Sequence, residues 1–525
     1  VLLISIDTLT ADRIACYGDP YVRTPFLDRL ARSGLQVRDA IAPAPLTLPS
    51  HATLLTGVDP PRHGVRENGL FRLSPASVTV AERLGDRVDK LAVVGAFPLG
   101  ARFGLDQGFD RYDDDFGPAA GPRQLPNERR AREVFALATE WLLDPGRRER
   151  PFVWTHVFDP HYLYEAPRPW GRCANTLTSP GQYEAEISYT DHELGRYLQR
   201  VGALDPDGDA TVLVTADHGE GLGRHVELTH SVLVYDSTQR VPLLLAGPGV
   251  KPRLVHEQRR LVDVTPSILD AYGIPVPPDL PGDPLTAPSN LPEAWVETKH
   301  TELLRGWSPL YGIRTSRWKY IRAPRSELYD LVADPAEKVN RLADEPDVAA
   351  GFEALVAETL REAGETGPGS MDEETAERLR SLGYVASVTP GSGTSDPRLD
   401  PKDGVHVAVA LFRGEQAYRD QNLVAAERFL LQALRIDPDV KDAHAFLAGT
   451  YHATGRYAQA ADHAKRALEL EPHLNEGPVQ ETLGESLIAL GKRPEGLEHL
   501  RAALELMPRD ERLQQRVSEV EKQLP

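Results

Sequence analysis

Cysteine is nearly missing from this chain: Cys16 and Cys173 are its two thiols among 525 residues. Two cysteines exclude a disulfide framework and a cysteine-rich metal cluster, and they leave the redox compartment open. Long apolar runs are missing as well. Hydrophobic residues make up 41% of the chain, yet no run approaches the ~20 residues of a membrane span, so none is expected. Positive charge is in deficit, with 59 Lys and Arg against 78 Asp and Glu and a net charge of −19. That balance argues against nucleic acid or an anionic membrane as the main partner. It does not exclude a small anionic substrate, because a bound metal inverts the local field. The chain opens at Val1 inside a strand-like run. A targeting segment ahead of it fits export to a bacterial periplasm, and its lack fits the cytoplasm.

A length of 525 residues is too great for one core and predicts two or three domains. Val1–Asp7 is an apolar run ending in a carboxylate, as in strands buried on both faces of a parallel sheet. Lys90–Phe97, Phe152–Phe158, Thr211–Thr215 and Arg240–Ala246 read as further strands. Helical patterns begin at Thr24-Pro25, Glu128–Leu143, Tyr183–Val201 and Thr265-Pro266. Alternation of this kind predicts an α/β fold with a mostly parallel sheet flanked by helices. Arg317–Arg322 and Glu327–Leu331 suggest a smaller α+β subdomain over about 295–385. Residues 386–402, rich in Gly, Ser, Pro and Thr, read as a flexible linker.

The segment Pro45-Leu-Thr-Leu-Pro-Ser-His-Ala-Thr-Leu-Leu-Thr-Gly57 concentrates functional signal. Here Thr47 is expected in a loop, with Ser50 as N-cap of a short helix His51–Leu55 that Gly57 ends. A hydroxyl outside a helix N-terminus suits attack on an anionic ester. Asp7 ends the first strand, Asp159 and His161 follow the Phe152 strand, and Asp217-His218 follows the Thr211 strand. Ligand sites in open α/β sheets lie at this carboxyl edge. Asp7, Asp217 and His218 suit a hard or borderline divalent ion, and coordination is one way to activate the poor Thr47 nucleophile. His63 reads as packing behind the helix, Lys319 as strand surface and Cys16 as a small buried residue. No role is assigned to His225, His300 or Glu220.

Several ordered motifs resemble the sulfatase-like members of the alkaline phosphatase superfamily over residues 1 to about 385. They include Ile4-Ser-Ile-Asp7, Leu48-Pro-Ser-His-Ala-Thr-Leu-Leu-Thr-Gly57, Phe158-Asp-Pro-His161, Thr215-Ala-Asp-His-Gly-Glu220 and Trp318-Lys-Tyr-Ile321. The resemblance implies a metal-dependent hydrolase of sulfate, phosphate or phosphonate esters, with Asp7, Asp217 and His218 as ligands and Thr47 as nucleophile. The formylglycine type carries Cys or Ser where Thr47 stands and Arg where His51 stands, so formylglycine is not expected. His51 and Asp159 then become substrate-binding candidates. His161 and His230 become acid/base or substrate-binding residues, or, with Asp159, ligands of a second ion. The implied cofactor is Zn, Ca or Mn, as one ion or two. Thr47-x-Pro-Ser-His51 also resembles the nucleophile segment of nucleotide pyrophosphatases/phosphodiesterases. Two other readings remain: a phosphotransferase on the same site, and a degenerate scaffold.

Beyond the linker, Ala433-Leu-Arg-Ile-Asp-Pro438, Ala467-Leu-Glu-Leu-Glu-Pro472 and Ala503-Leu-Glu-Leu-Met-Pro508 recur with offsets of 34 and 36 residues. Gly414, Ala448 and Gly484 keep the same phase. This pattern resembles tetratricopeptide (TPR) units, and residues 403–525 are expected to form an all-α solenoid that binds a protein or peptide.

Overall fold

The computed structural model describes residues 1–117, 128–146, 150–170, 180–205, 208–363, 367–369, 371, 375, 378–379, 398–470 and 477–523. Cys173, Pro472 and residues 386–397 of the expected linker lie outside the described residues. The chain divides into two units, one of Val1–Thr301 with Ser308–Ala386, the other of Glu302–Trp307 with Ser387–Pro525.

The first unit is built on a mixed sheet. Its strands are β1 (Leu2–Ile6), β2 (Leu35–Ile41), β3 (Lys90–Val93), β4 (Arg111–Asp113), β5 (Phe152–Val157), β6 (Val212–Ala216), β7 (Arg240–Ala246), β8 (Arg253–Val255) and β9 (Arg259–Arg260). They run in the order β4-β3-β5-β1-β6-β7-β2-β8, with β9 also on β2. Strand β1 sits at the centre, parallel to β5 and β6, with Ile6 level with Val157 and Ala216. Strand β7 alone runs against its neighbours β6 and β2. Every residue of β1, β5 and β6 is buried, which explains their unbroken apolar runs. Because all three end at one level, Asp7, Phe158-Asp159 and Asp217 emerge side by side.

Helices α1 (Pro25–Ser33), α2 (Thr47–Thr56), α3 (Ala131–Leu142), α4 (Pro180–Arg200) and α5 (Val264–Ala271) flank this sheet. Helix α2 corrects the expected loop: it begins at Thr47, and its N-cap is Leu46 rather than Ser50. Pro49 falls in the first turn, where no intrahelical N–H is needed, so it starts the helix instead of barring it. The Ser50 hydroxyl donates to the Ala44 carbonyl at 2.8 Å. Gly57 ends α2 as expected, at a φ of 74° that favours glycine.

An antiparallel sheet follows, of β10 (Ala294–Thr298), β11 (Leu310–Arg314), β12 (Trp318–Arg322) and β13 (Glu327–Asp330) in that order. Helix α6 (Pro346–Glu362) covers one face, burying Ala349 and Val356 against Trp295, Ile313, Tyr320 and Leu328. The other face is covered too, which corrects the surface reading of Lys319. Its side chain is wholly buried, with Nζ 2.9 Å from Asp236 and 2.8 Å from Glu337. Arg314 pairs with the same Asp236 at 2.9 Å. Cys16 is half-buried and unpaired with another thiol.

In the second unit Pro401 opens α7 (Pro401–Arg419), capped by Asp400, so the linker composition runs into a helix. With the five helices that follow, α8 (Leu423–Ile436), α9 (Lys441–Ala453), α10 (Tyr457–Leu470), α11 (Gly477–Ala489) and α12 (Arg493–Leu506), α7 makes three pairs: α7 with α8, α9 with α10 and α11 with α12. Helix α13 (Glu511–Lys522) packs Leu513, Val517 and Val520 on α12. Among the described residues no helix is long and apolar enough to cross a membrane.

Candidate active site

Register explains how the site assembles. Ser5 lies level with His156 on β5 and Thr215 on β6. Side chains alternate along a strand, so Asp7 and Asp217 project from the face that carries Ser5 and His156. Helix α2 lies over this face. His51 places its ring 5.5 Å from Trp154 and 4.9 Å from His156, and its Nδ1 is 3.6 Å from Asp217 Oδ2. The backbone at Thr8 takes a φ of 51°. That conformation is strained for a β-branched residue. It lets the Thr8 N–H reach Asp217 Oδ1 at 3.2 Å, alongside the His218 N–H at 2.8 Å.

What these groups leave unmet is informative. Both Asp7 carboxylate oxygens, Asp217 Oδ2 and His218 Nε2 are buried without a hydrogen-bond partner. His218 Nε2 lies 3.7 Å from Asp7 Oδ1 and 3.6 Å from Asp217 Oδ2. His218 Nδ1 meets the Gly219 carbonyl at 3.0 Å. A carbonyl only accepts, so Nδ1 carries the proton and Nε2 offers a lone pair. Three buried donor groups aimed at one another are costly unless something positive joins them. The residues therefore fit a divalent ion: Asp7, Asp217 and His218 form a candidate ligand set within 4.8 Å, and His51, His156 and Asp217 form a second.

Burial sets the protonation. It raises the Asp7 and Asp217 carboxyls, which also repel each other. It pushes His51 and His161 down to about 3 and His156 to about 4, so all three imidazoles are neutral. His218 meets the same burial, but Asp217 and Asp7 outweigh it and raise its pKa. Burial also holds Glu220 up at about 8.

The other expected residues are placed as follows. Thr47 is fully buried at the first position of α2. His161 stacks on Phe158 at 4.1 Å and stands edge-on to His230 at 5.4 Å, and His230 lies 4.5 Å from the His218 ring. Both histidines thus join the cluster. Asp159 points away from it: one oxygen accepts from Arg130 at 2.8 Å and the other from the Ala131 N–H at the start of α3, at 2.7 Å. His63 spends both nitrogens locally, on Thr53 and the Val65 N–H. Glu220 backs His230 at 3.4 Å, and His300 meets Glu67 at 3.2 Å.

Two residues escaped the sequence reading. His156 hides inside an apolar strand, although a histidine amid Phe-Val-Trp-Thr-His-Val-Phe, in phase with Asp7, is the kind of buried polar residue that signals function. Asn68 accepts the Leu48 N–H at 2.9 Å, while its buried Nδ2 has no hydrogen-bond partner.

Fold and cluster together define an α/β protein that carries a carboxylate–imidazole ligand set at the carboxyl edge of its sheet. The chain belongs to the sulfatase family, whose model matches residues 1–274. The model for the C-terminal part of N-sulphoglucosamine sulphohydrolase matches residues 229–363. The chain is 33% identical over 432 residues to a choline-sulfatase of Rhizobium meliloti, covering 66% of this chain and 82% of that one. It is 28% identical over 399 residues to human arylsulfatase A, covering 64% and 77%. The crystal structure of a phosphonate monoester hydrolase of Agrobacterium radiobacter shares the fold, with a TM-score of 0.55 at 22% identity over 71% of this chain and 99% of that one. The chain is accordingly a hydrolase of the sulfatase family acting on ester bonds, in a family that generally uses a divalent metal.

Proposed function

We propose that the chain hydrolyses monoanionic sulfate, phosphonate or phosphodiester groups through the Thr47 hydroxyl, with a divalent ion held by Asp7, Asp217 and His218. The observation that carries this reading is the set of unmatched buried lone pairs beside the helix that Thr47 opens. When bound, the ion supplies Lewis acidity, which lowers the pKa of a nearby hydroxyl and offsets the charge of the anionic ester. Asn68 holds the first turn of α2 through the Leu48 N–H, and its buried, unpartnered amide nitrogen is a candidate donor to an ester oxygen. His161 Nδ1 donates to the Tyr162 carbonyl at 2.7 Å, so Nε2 is the nitrogen that takes up and passes on a proton. In the first step the Thr47 oxygen gives up its proton to water as it bonds to sulfur or phosphorus, and the bond to the leaving oxygen breaks while that oxygen takes a proton that His161 Nε2 or His230 has picked up from solvent. In the second, water cleaves the Thr47 ester.

Charge favours a monoanion. Among the described residues Asp7 and Asp217 ion-pair with histidines alone, and Arg130 is committed to Asp159 and Glu186. Two carboxylates and one dication leave no surplus positive charge for a dianionic phosphate monoester. Sulfate esters find support in the choline-sulfatase and arylsulfatase likenesses, and phosphonates in the hydrolase fold neighbour. The test is a parallel assay of aryl sulfate, phosphonate monoester, phosphodiester and phosphomonoester with wild type and Thr47→Ala. Full activity in Thr47→Ala would contradict the assignment.

The helical unit is read as a TPR solenoid that docks a protein or peptide. In support, small residues sit where paired helices approach: a Cβ on Gly414 would lie 2.7 Å from Leu430, and one on Gly484 would lie 2.8 Å from the Gly496 carbonyl. Pull-down with residues 1–525 against a variant with a disrupted helix pair tests this.

A further inference from the structure

His161 is aimed by its own loop. Its Nδ1–H donates to the carbonyl of the next residue, Tyr162, at 2.7 Å, and its ring stacks on Phe158 at 4.1 Å. The direction of Nε2 therefore follows the backbone of residues 158–165, which lies beyond β5 and outside any helix or strand. Backbone of that kind keeps its place where other groups take up its N–H and C=O.

Helix α4 supplies those groups. Glu186 and Thr190 stand one turn apart on it and share a face. The Glu186 side chain is buried, with 1% of the residue exposed, so its carboxylate needs donors from the protein. Its Oε2 accepts the His161 N–H at 3.2 Å, and its Oε1 accepts the Glu165 N–H at 2.6 Å. One carboxylate thus grips both ends of the turn that carries the histidine. Thr190 Oγ1 donates to the Asp159 carbonyl at 3.1 Å, and Thr8 Oγ1 donates to the Pro160 carbonyl. Arg130 Nη1 closes the frame between Glu186 Oε1 at 3.2 Å and Asp159 Oδ1 at 2.8 Å. A carboxylate that merely neutralised Arg130 would have no need of the loop. Glu186 instead takes two of these three donors from the segment that holds His161.

We infer that Glu186, assisted by Thr190, is a positioning residue for proton transfer to the leaving oxygen. It acts through the backbone of residues 161–165 and so through His161. This rests on the acid role given to His161 above.

A double-mutant cycle on the full-length protein tests it. Wild type, His161→Ala, Glu186→Gln and the double variant are assayed on ethyl and nitrophenyl sulfate, or on the same two esters of phenylphosphonate. Glutamine keeps the shape of the side chain. With its amide oxygen in the Oε1 position it still accepts from Arg130 and Glu165, while its NH2 confronts the His161 N–H, so one bond is lost. Arg130 keeps Asp159 as its counter-ion, and the fold is retained. The expected result is a fall in kcat/KM for the ethyl ester of up to ~10²-fold, a far smaller fall for the nitrophenyl ester, and no further fall when His161 is already alanine. Equal losses on both esters would overturn the inference, as would an undiminished loss in the His161→Ala background, because each marks a role in the fold at large. Unchanged kinetics in Glu186→Gln would overturn it too. If His161→Ala itself fails to discriminate between the two esters, the acid role of His161 falls and the inference falls with it. Thr190→Val removes only the bond to the Asp159 carbonyl. It gives the same readout, with a smaller expected loss, where Glu186→Gln does not fold.

Discussion

Two of the molecule's buried charge clusters are built on opposite principles. Around Lys319 each charge meets its opposite: Asp236 receives both Lys319 and Arg314, and Glu337 takes the remaining side of Lys319. Around Asp7 two carboxylates face each other and imidazoles, with Asp7 Oδ1 and Oδ2, Asp217 Oδ2, His156 Nε2 and His218 Nε2 unmatched. The first cluster closes its electrostatics internally and so serves the fold. The second, on the reading proposed above, is completed by a cation and an anionic substrate. Burial of charge is therefore not the functional signal; burial of charge without a countercharge is.

Breaking the two clusters should give opposite results. The largest effect is expected for Thr47→Ala, at least ~10⁴-fold in kcat with metal content unchanged, read by steady-state kinetics and elemental analysis. Next, Lys319→Met leaves Asp236 and Glu337 crowded and should cost about 3–5 kcal/mol in denaturant unfolding, with kcat retained in the folded fraction. His161→Ala should lose ~10²–10⁴-fold on alkyl esters and far less on nitrophenyl esters, whose leaving groups need no proton. A related pH effect follows. Burial pushes His161 down to about 3, so its protonated fraction falls as pH rises above that value. The kcat/KM for alkyl esters should accordingly decline from pH 5 to 8 while activated aryl esters stay flat. The smallest effect sharpens the contrast most: Asp217→Asn should stabilise the metal-free protein by about 1 kcal/mol. The Asp7 and Asp217 carboxyls are raised in the folded state, which then binds more protons than the unfolded one. Metal-free stability thus falls as pH rises above the ordinary carboxyl range, and Asp217→Asn should flatten that slope.

Much of this was legible in the residues. Apolar runs closing on Asp7 and Asp217 located the central strands and the edge where ligands collect, because strands buried on both faces keep their carboxylates to their ends. Local signals failed where the environment decided. Pro49 reads as a breaker, yet in a first turn it fits the helix. Lys319 alternates like a surface residue because its strand pattern contains no trace of the Asp236 and Glu337 segments that cover it. Asp159 carries the same motif weight as His161, but its carboxylate anchors the N-terminus of α3 and Arg130, a tertiary choice with no local mark. His156 was missed because a single polar residue in an apolar strand is easily absorbed into the run.

The central claim is that Thr47 carries the transferred group. The direct measurement is acid quench of metal-loaded protein during turnover of a slow ester substrate, followed by peptide mass spectrometry. The account predicts a peptide spanning Thr47 heavier by one sulfuryl or phosphoryl group, absent from Thr47→Ala at all times. Turnover with the modification on another residue, or undiminished turnover by Thr47→Ala, would contradict it.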